Sequence, residues 1–452
     1  MTFDTLIIGA GQASTPLATA LADKGQSVAI AEKNHLGGSC VNFGCTPSKA
    51  VLASARLAHQ LRHAADFGIE VEGFQIHFEQ VLAKAKAFSQ ESRNHLAKTF
   101  ENDAITLLRG HAQIQGKTAD GFEIRVAEQT HSAKHLVLDT GTHSFVPDIK
   151  GLETLDYLSA ENWLDHTALP EHLLILGAGY IGIEFAQFYR RMGARVTVLE
   201  PETQILSHED KDVAEALRHV LEEEGVTFIL DAQSKEIKMQ EGELELTYQT
   251  ADKNKSITGS HLFVATGRAP NTDALGLETI KLNQDKKGFV EVNAYLASNV
   301  KNVYAVGDLR AGPMFTHTAY DDYMIVRDQI LGEKGRSTDR LVPYAIFTDP
   351  ELARVGLSEK AAKGAKKDFE TLFYSMASNG RARVERATKG FIKVLVEKES
   401  GKILGATILA SRASEIVHSY VDLMTAGASI EVLQKAIHIH PTFAESIKTV
   451  VM

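Results

Sequence analysis

Short, unbroken apolar runs alternate with longer mixed segments along this chain of 452 residues. Leu6-Ile7-Ile8 leads into a glycine turn, an Ala/Leu-rich stretch to about Asp23, and the run "SVAIAE" ending at Glu32. Apolar runs of this length, bounded by glycine, predict buried strands, and the stretch between them a helix. Leu173-Leu174-Ile175-Leu176 opens a second block of the same kind, with a helix over "IEFAQFYRRMG" and a strand over "ARVTVLE" ending at Glu200. Helices are expected over 46–66 and 78–104, and strands over 105–140. Val51, Ala55, Ala58 and Leu61 recur at helical spacing on the first of these helices. Beyond about residue 338, alternating segments such as "GFIKVLVE" predict a further sheet-bearing unit with a helical end. The charged stretches "DKNKS" (252–256) and "KGAKK" (363–367) read as surface turns.

The turns inside the two blocks carry the first chemical signal. One reads Gly9-Ala10-Gly11-Gln12-Ala13-Ser14 and the other Gly177-Ala178-Gly179-Tyr180-Ile181-Gly182. In each block the acid, Glu32 or Glu200, stands 23 residues after the first glycine. This is the dinucleotide fingerprint. The first glycine permits the tight turn, and the second lets backbone N–H groups approach a pyrophosphate. The helix N-terminus favours its negative charge, and the acid accepts from ribose hydroxyls. Serine replaces the third glycine in the first block. Two such sites in one chain suggest that one cofactor reduces another, with FAD and a nicotinamide nucleotide as the natural couple.

Composition narrows the setting. A net charge of −10 lacks the basic footprint of a nucleic-acid partner. The sequence has no apolar run of membrane-spanning length. It passes from Met1 almost directly into a strand, so no signal peptide and a cytoplasmic location are expected. The chain holds two cysteines, Cys40 and Cys45, both within "GGSCVNFGCTPSKA" (37–50). In the cytosol a disulfide is usually transient, catalytic or redox-sensing. So short a loop would also be a poor structural staple, and the cysteines read as a working pair. Thr46-Pro47-Ser48 begins a helix, because proline is favoured in a first turn. Cys45 then sits at a helix N-terminus, which lowers a thiol pKa, and Lys49 returns to its side one turn later. No resident metal site is expected.

These segments resemble the class I pyridine nucleotide–disulfide oxidoreductases, a family that includes dihydrolipoamide dehydrogenase, glutathione reductase and mercuric reductase. "GGSCVNFGC" with "PSK" is similar to the family's redox-active segment, "LFVATGRAPNT" (262–272) to its ATG motif, and "VYAVGD" (303–308) to its second FAD motif. "VPYAIFTDPELARVG" (342–356) resembles the start of its interface domain, and "HIHPTFAE" (438–445) its terminal signature. The resemblance covers essentially the whole chain. It implies an α/β fold with two Rossmann-like domains, for FAD and NAD(P), and an α+β C-terminal dimerisation domain. The expected divisions are 1–149 and 269–337 for FAD, 150–268 for NAD(P), and 338–452 for the interface.

The resemblance also implies roles. Cys40 and Cys45 form the redox disulfide, Cys45 facing the flavin and Cys40 attacking substrate. Lys49 pairs with Glu184 near the flavin. Gly9, Gly11, Ser14, Glu32, Lys49, Thr140, Gly141 and Asp308 hold FAD. Gly177, Gly179, Tyr180, Gly182, Glu200, Gly267 and Arg268 hold NAD(P), with Tyr180 covering the flavin until nicotinamide enters. His440, oriented by Glu445, is the base for the disulfide of the other subunit of a homodimer. Asp139 stands where the family tends to carry a small or neutral residue. Glu200 repels a 2′-phosphate, and the residues after it carry no arginine or lysine before Lys211, so NADH is favoured over NADPH. Mercuric reductases usually end in a vicinal cysteine pair, whereas this chain ends "KTVVM". The nearest expectation is a mercuric-reductase-like enzyme without that pair, passing electrons to a disulfide or metal-ion acceptor. Dihydrolipoamide dehydrogenase and a slowly turning flavin-linked redox sensor are the alternatives.

Overall fold

A computed structural model describes residues 1–452 except 102, 103, 241, 252 and 334. Its first sheet has a parallel core in the order Ile105–Arg109, Val28–Glu32, Thr2–Ile8, Gln129–Leu138. Phe122–Val126 and Ala112–Lys117 extend it in antiparallel fashion. Leu6, Ile7 and Ile8 are all buried, as expected of a parallel strand covered on both faces. Val303–Ala305 returns from far along the chain and pairs in parallel with Leu136–Leu138. That return carries Gly307 and Asp308 to the strand ends from which Gly9 and Asp139 depart.

The second block forms a parallel sheet in the order Val226–Ile229, Arg195–Leu199, His172–Leu176, His261–Val264. A ribbon of Gln233–Gln240, Glu243–Thr250 and Lys253–Gly259 accompanies it. Residues 253–256 of "DKNKS" lie in a strand and not in a surface turn. Asp252 lies outside the described residues, and Lys253 begins a strand. That strand is at the ribbon's edge with its lysines exposed, which is how edge strands commonly resist further pairing. Similarly, Lys363 and Gly364 of "KGAKK" close the short helix Glu359–Gly364 rather than lying wholly in a turn.

The C-terminal unit is an antiparallel sheet in the order Tyr344–Ile346, Glu351–Gly356, Ile403–Ala410, Phe391–Glu397, Phe369–Ser375. The helix Ala413–Thr425 packs on it. Phe391–Val396 is buried throughout, Lys393 included. The Lys393 ammonium is paired with Asp210 at 3.2 Å and Asp212 at 2.8 Å, both on the neighbouring second unit.

The helices Cys45–Arg62 and Phe78–Ala97 belong to the first unit but bury their apolar faces against the second. Val51, Ala55 and Ala58 share one core with Phe185, Phe188, Tyr189 and Trp163. Each fully buried aromatic in that seam contributes about 1.5–3 kcal/mol. The seam therefore holds the helix that begins at Cys45 against the helix Tyr180–Met192.

Candidate active site

The two glycine turns are built alike. Gly9 has φ +99° and Gly177 φ +97°, backbone that favours glycine. A Cβ on Gly9 would lie 2.2 Å from the Asp139 carbonyl oxygen, and one on Gly177 2.5 Å from that of Ala265. The acids act alike too. Glu32 Oε2 accepts from Ala10 N–H at 2.8 Å and Oε1 from Asn34 N–H at 2.7 Å. Glu200 Oε2 accepts from Ala178 N–H at 2.6 Å and Oε1 from Glu202 N–H at 3.1 Å. Each carboxylate pins its own turn, and lone pairs remain for ribose hydroxyls.

The cysteine segment is more ordered than a glycine-rich turn. Gly38–Asn42 forms one helical turn containing Cys40, and Gly44 precedes a helix whose first residue is Cys45. Gly44 passes so close beneath the first turn that a Cβ would lie 2.9 Å from Ser39 O and 3.2 Å from Cys40 Cα. Trp163 Nε1–H donates to the Phe43 carbonyl at 2.8 Å and fixes the segment from behind. Both cysteines are free thiols, so the structure holds the dithiol half of the expected disulfide couple. The two thiols share a hydrogen bond. A hydrogen bond from Cys40 is the main influence lowering Cys45 to about 6, aided by Thr316 and the charge of Lys49 and opposed by burial and Glu184. The same bond, with burial, pushes Cys40 well up. Thr316 Oγ1 lies 3.2 Å from Cys45 Sγ.

Lys49 Nζ donates to Glu184 Oε2 at 2.8 Å, and Glu184 Oε1 accepts Phe347 N–H at 2.8 Å. Tyr180, the first residue of its helix, is 40% exposed, with its ring centroid 6.2 Å from that of Phe315. A cavity of about 1250 Å³ joins these groups. Its lining includes Glu32, Gly9, Gly11, Thr140, Gly141, Asp308, Cys40, Cys45, Lys49, Tyr180 and Glu184. The cavity wall thus includes an acid that could meet a ribose, a glycine turn open to a pyrophosphate, and Cys45 with Lys49 where a flavin ring could lie. These residues therefore fit FAD.

The placement of the remaining candidates is mixed. Arg268, expected at the second nucleotide, lines this same cavity. It donates to Glu161 at 2.7 Å and to the Thr142 carbonyl at 2.8 Å, on a strand that pairs with Thr142–Ser144. Gly267 precedes that strand with φ +130°. Gly177, Gly179, Gly182 and Glu200 lie outside the cavity lining, and Tyr180 connects their turn to it. Ser14 lies beneath the wall, fully buried. His440 Nδ1 is 2.9 Å from Glu445 Oε2, as the pairing expects, but neither residue lines the cysteine cavity of its own chain. The side chain of His440 is 75% exposed, and its neighbours Ile437 and Ile439 are 98% and 80% exposed. Sequence reasoning missed Thr316, Glu161 and Trp163, each far in sequence from the group it serves.

Among the described residues, no helix is long and apolar enough to cross a membrane. The family model for pyridine nucleotide-disulphide oxidoreductases matches residues 3–322, and the model for that family's dimerisation domain matches 342–451. The chain is 33% identical over 458 residues to a dihydrolipoyl dehydrogenase of Cupriavidus necator, covering 99% of this chain and 96% of that protein. It is 32% identical over 454 residues to a mercuric reductase of Streptomyces lividans, covering 99% and 95%. The Cu(II) complex of the HOCl-induced flavoprotein disulfide reductase RclA from Escherichia coli has a TM-score of 0.90 at 30% identity, covering 100% of this chain and 99% of that one.

Proposed function

Because this chain belongs to the pyridine nucleotide-disulphide oxidoreductase family as a flavin-dependent enzyme, we propose that it carries electrons from NADH to a disulfide or thiophilic metal ion through Cys40 and Cys45. FAD, when bound, links a hydride donor to a dithiol. Gly9, Gly11, Glu32, Thr140, Gly141 and Asp308 would hold it, with Lys49 at its ring. The observation that carries this reading is the linked thiol pair. Cys45, its thiol held well below the usual range by the Cys40 hydrogen bond and aided by Thr316 and Lys49, starts its helix on the cavity lining that fits FAD. Cys40 stays protonated and is the sulfur that meets the acceptor.

Glu200 supports NADH, since its carboxylate at the end of the second nucleotide strand repels a 2′-phosphate. Gly177, Gly179, Gly182 and Tyr180 would seat that nucleotide, and Tyr180 would swing aside for nicotinamide. His440, held by Glu445, would serve the cysteine pair of a second copy in a homodimer. The dimerisation-domain match and the exposed isoleucines flanking His440 support that arrangement.

Similarity to a mercuric reductase and to the Cu(II)-bound RclA structure supports a metal-ion acceptor. The intact His440–Glu445 pair favours a second reading, dihydrolipoamide dehydrogenase, because dithiol exchange needs a base. Steady-state rates with NADH against chelated Hg(II), chelated Cu(II), glutathione disulfide and lipoamide separate them. Fast turnover with a metal ion or a non-lipoyl disulfide supports the first reading. Lipoamide turnover far above all others supports the second. Slow turnover with every acceptor overturns both and leaves a redox sensor.

A further inference from the structure

The two nucleotide turns differ in a matched pair of positions. In the second block, Gly182 packs so tightly that a Cβ would lie 2.1 Å from the Gly177 carbonyl oxygen and 3.5 Å from Ala265 Cβ. The equivalent positions in the first block are Ser14 and Asp139. Two small residues in one copy are thus replaced together, in the other, by two that bond. Ser14 N–H donates to Asp139 Oδ2 at 3.1 Å. Ser14 Oγ lies 2.6 Å from the same Oδ2 and 2.7 Å from the Gly9 carbonyl oxygen.

Counting protons decides the charge. A hydroxyl has one proton to give. If Asp139 were ionised it would take that proton, leaving Ser14 Oγ against the Gly9 oxygen with nothing between them. A protonated Asp139 donates to Ser14 Oγ, which donates to Gly9, and each of the two short oxygen–oxygen contacts then holds a proton. The surroundings agree. Burial, then Asp308 and Asp322, push Asp139 up to about 8, against the pull of the Ser14 hydrogen bonds. Asp308 faces it from the Gly307–Leu309 turn and Asp322 from the helix Thr316–Leu331. Asp322 is itself bonded to Arg310 at 3.0 Å and to Arg340.

The carboxyl is also a wedge. A Cβ on Gly11 would lie 2.6 Å from its Oδ2, and one on Gly307 3.2 Å from its Oδ1. It therefore touches both segments assigned to FAD. We propose that Asp139 is an uncharged positioning residue that latches the Gly9–Ser14 turn and the Gly307–Asp308 turn in the shape that receives the FAD pyrophosphate, and that its ionisation in alkaline solution loosens the flavin. The second turn, built for a nucleotide that leaves at every turnover, has no such latch. This inference rests on the flavin site and is independent of the acceptor.

The test is FAD affinity against pH, read by flavin fluorescence on the wild type, Asp139→Asn and Asp139→Ala. Wild-type affinity should be level below about pH 8 and then weaken by up to about tenfold per pH unit. Both variants, uncharged at every pH, should bind more weakly at neutral pH but with no such slope. A level wild-type profile, or the same slope in the variants, overturns the latch while leaving the flavin site intact. Failure of the wild type to bind FAD at any pH overturns the site and the latch together. Infrared spectroscopy of the wild type provides a check that needs no variant. A protonated-carboxyl band should be present at neutral pH and vanish on alkaline titration, and its absence at neutral pH overturns the proposal.

Discussion

Lys49 and Glu184 meet at 2.8 Å across the seam between the two nucleotide-binding units, and the same carboxylate reaches Phe347 N–H in the C-terminal unit. One side chain thus ties three parts of the chain to the helix that begins at Cys45. The pair also sets opposing fields on Cys45, since Lys49 favours its thiolate and Glu184 disfavours it.

Opposite substitutions should therefore move Cys45 in opposite directions. Glu184→Gln keeps an acceptor for Phe347 and removes the negative charge, so Cys45 should ionise at lower pH. Lys49→Met should raise its ionisation by about one pH unit. The pH dependence of iodoacetamide alkylation of the reduced protein reads both, and movement in the same direction would refute this electrostatic account.

Cysteine variants separate the two sulfurs. Cys45→Ser should abolish the long-wavelength thiolate–flavin band while FAD stays bound. Cys40→Ala should keep the band but shift its pH dependence, because Cys40 supplies the main hydrogen bond to the thiolate. In the wild type the band should fade as pH drops through about 6, where Cys45 gains its proton. In Cys40→Ala it should fade at higher pH. Absorbance titration reads all three, on the two-electron-reduced wild type and on each variant with its flavin oxidised, because a single remaining cysteine leaves no disulfide to take the electrons.

His440→Ala should leave reduction of the flavin by NADH unchanged in rapid mixing, while turnover with a disulfide falls by about 10²–10⁴-fold. Glu445→Gln should lose less, because the ring keeps a hydrogen-bond partner at Nδ1. Loss of flavin reduction in either variant would remove both residues from the exchange step.

Glu200→Gln should narrow the preference for NADH over NADPH by about tenfold in the ratio of kcat/KM values, by removing a like charge from the 2′-phosphate. The amide retains an acceptor for the Ala178 N–H, so the turn should survive. An unchanged ratio would place nucleotide choice elsewhere.

The parts of this molecule legible in its sequence are those whose causes lie close along the chain. The repeated spacing from glycine to acid announces two like turns; that Glu32 and Glu200 also pin those turns appears only in the fold, and the paired glycine clashes show why they are built alike. The position of Pro47 announced the helix beneath Cys45. What stayed hidden depends on distant partners. Thr316 is 271 residues from Cys45, Glu161 is 107 from Arg268, and Asp139 is 125 from Ser14. Ser14 departs from the glycine motif, and only the fold places its hydroxyl between two oxygens. The strand at Lys253 reads as a turn in the sequence because its charges face solvent along an edge, where no apolar period marks it.

Trp163 gives the molecule a built-in optical probe. It is the sole tryptophan of the chain, fully buried, and its indole N–H holds the carbonyl of Phe43 two residues before Cys45. Its emission reports a single place, the backbone behind the thiol pair. Flavin bound in the cavity that this segment lines would quench it by energy transfer. Loading of the cavity and rearrangement of the cysteine loop on oxidation can thus be timed in the unlabelled protein, one through quenching and the other through the colour of the indole emission.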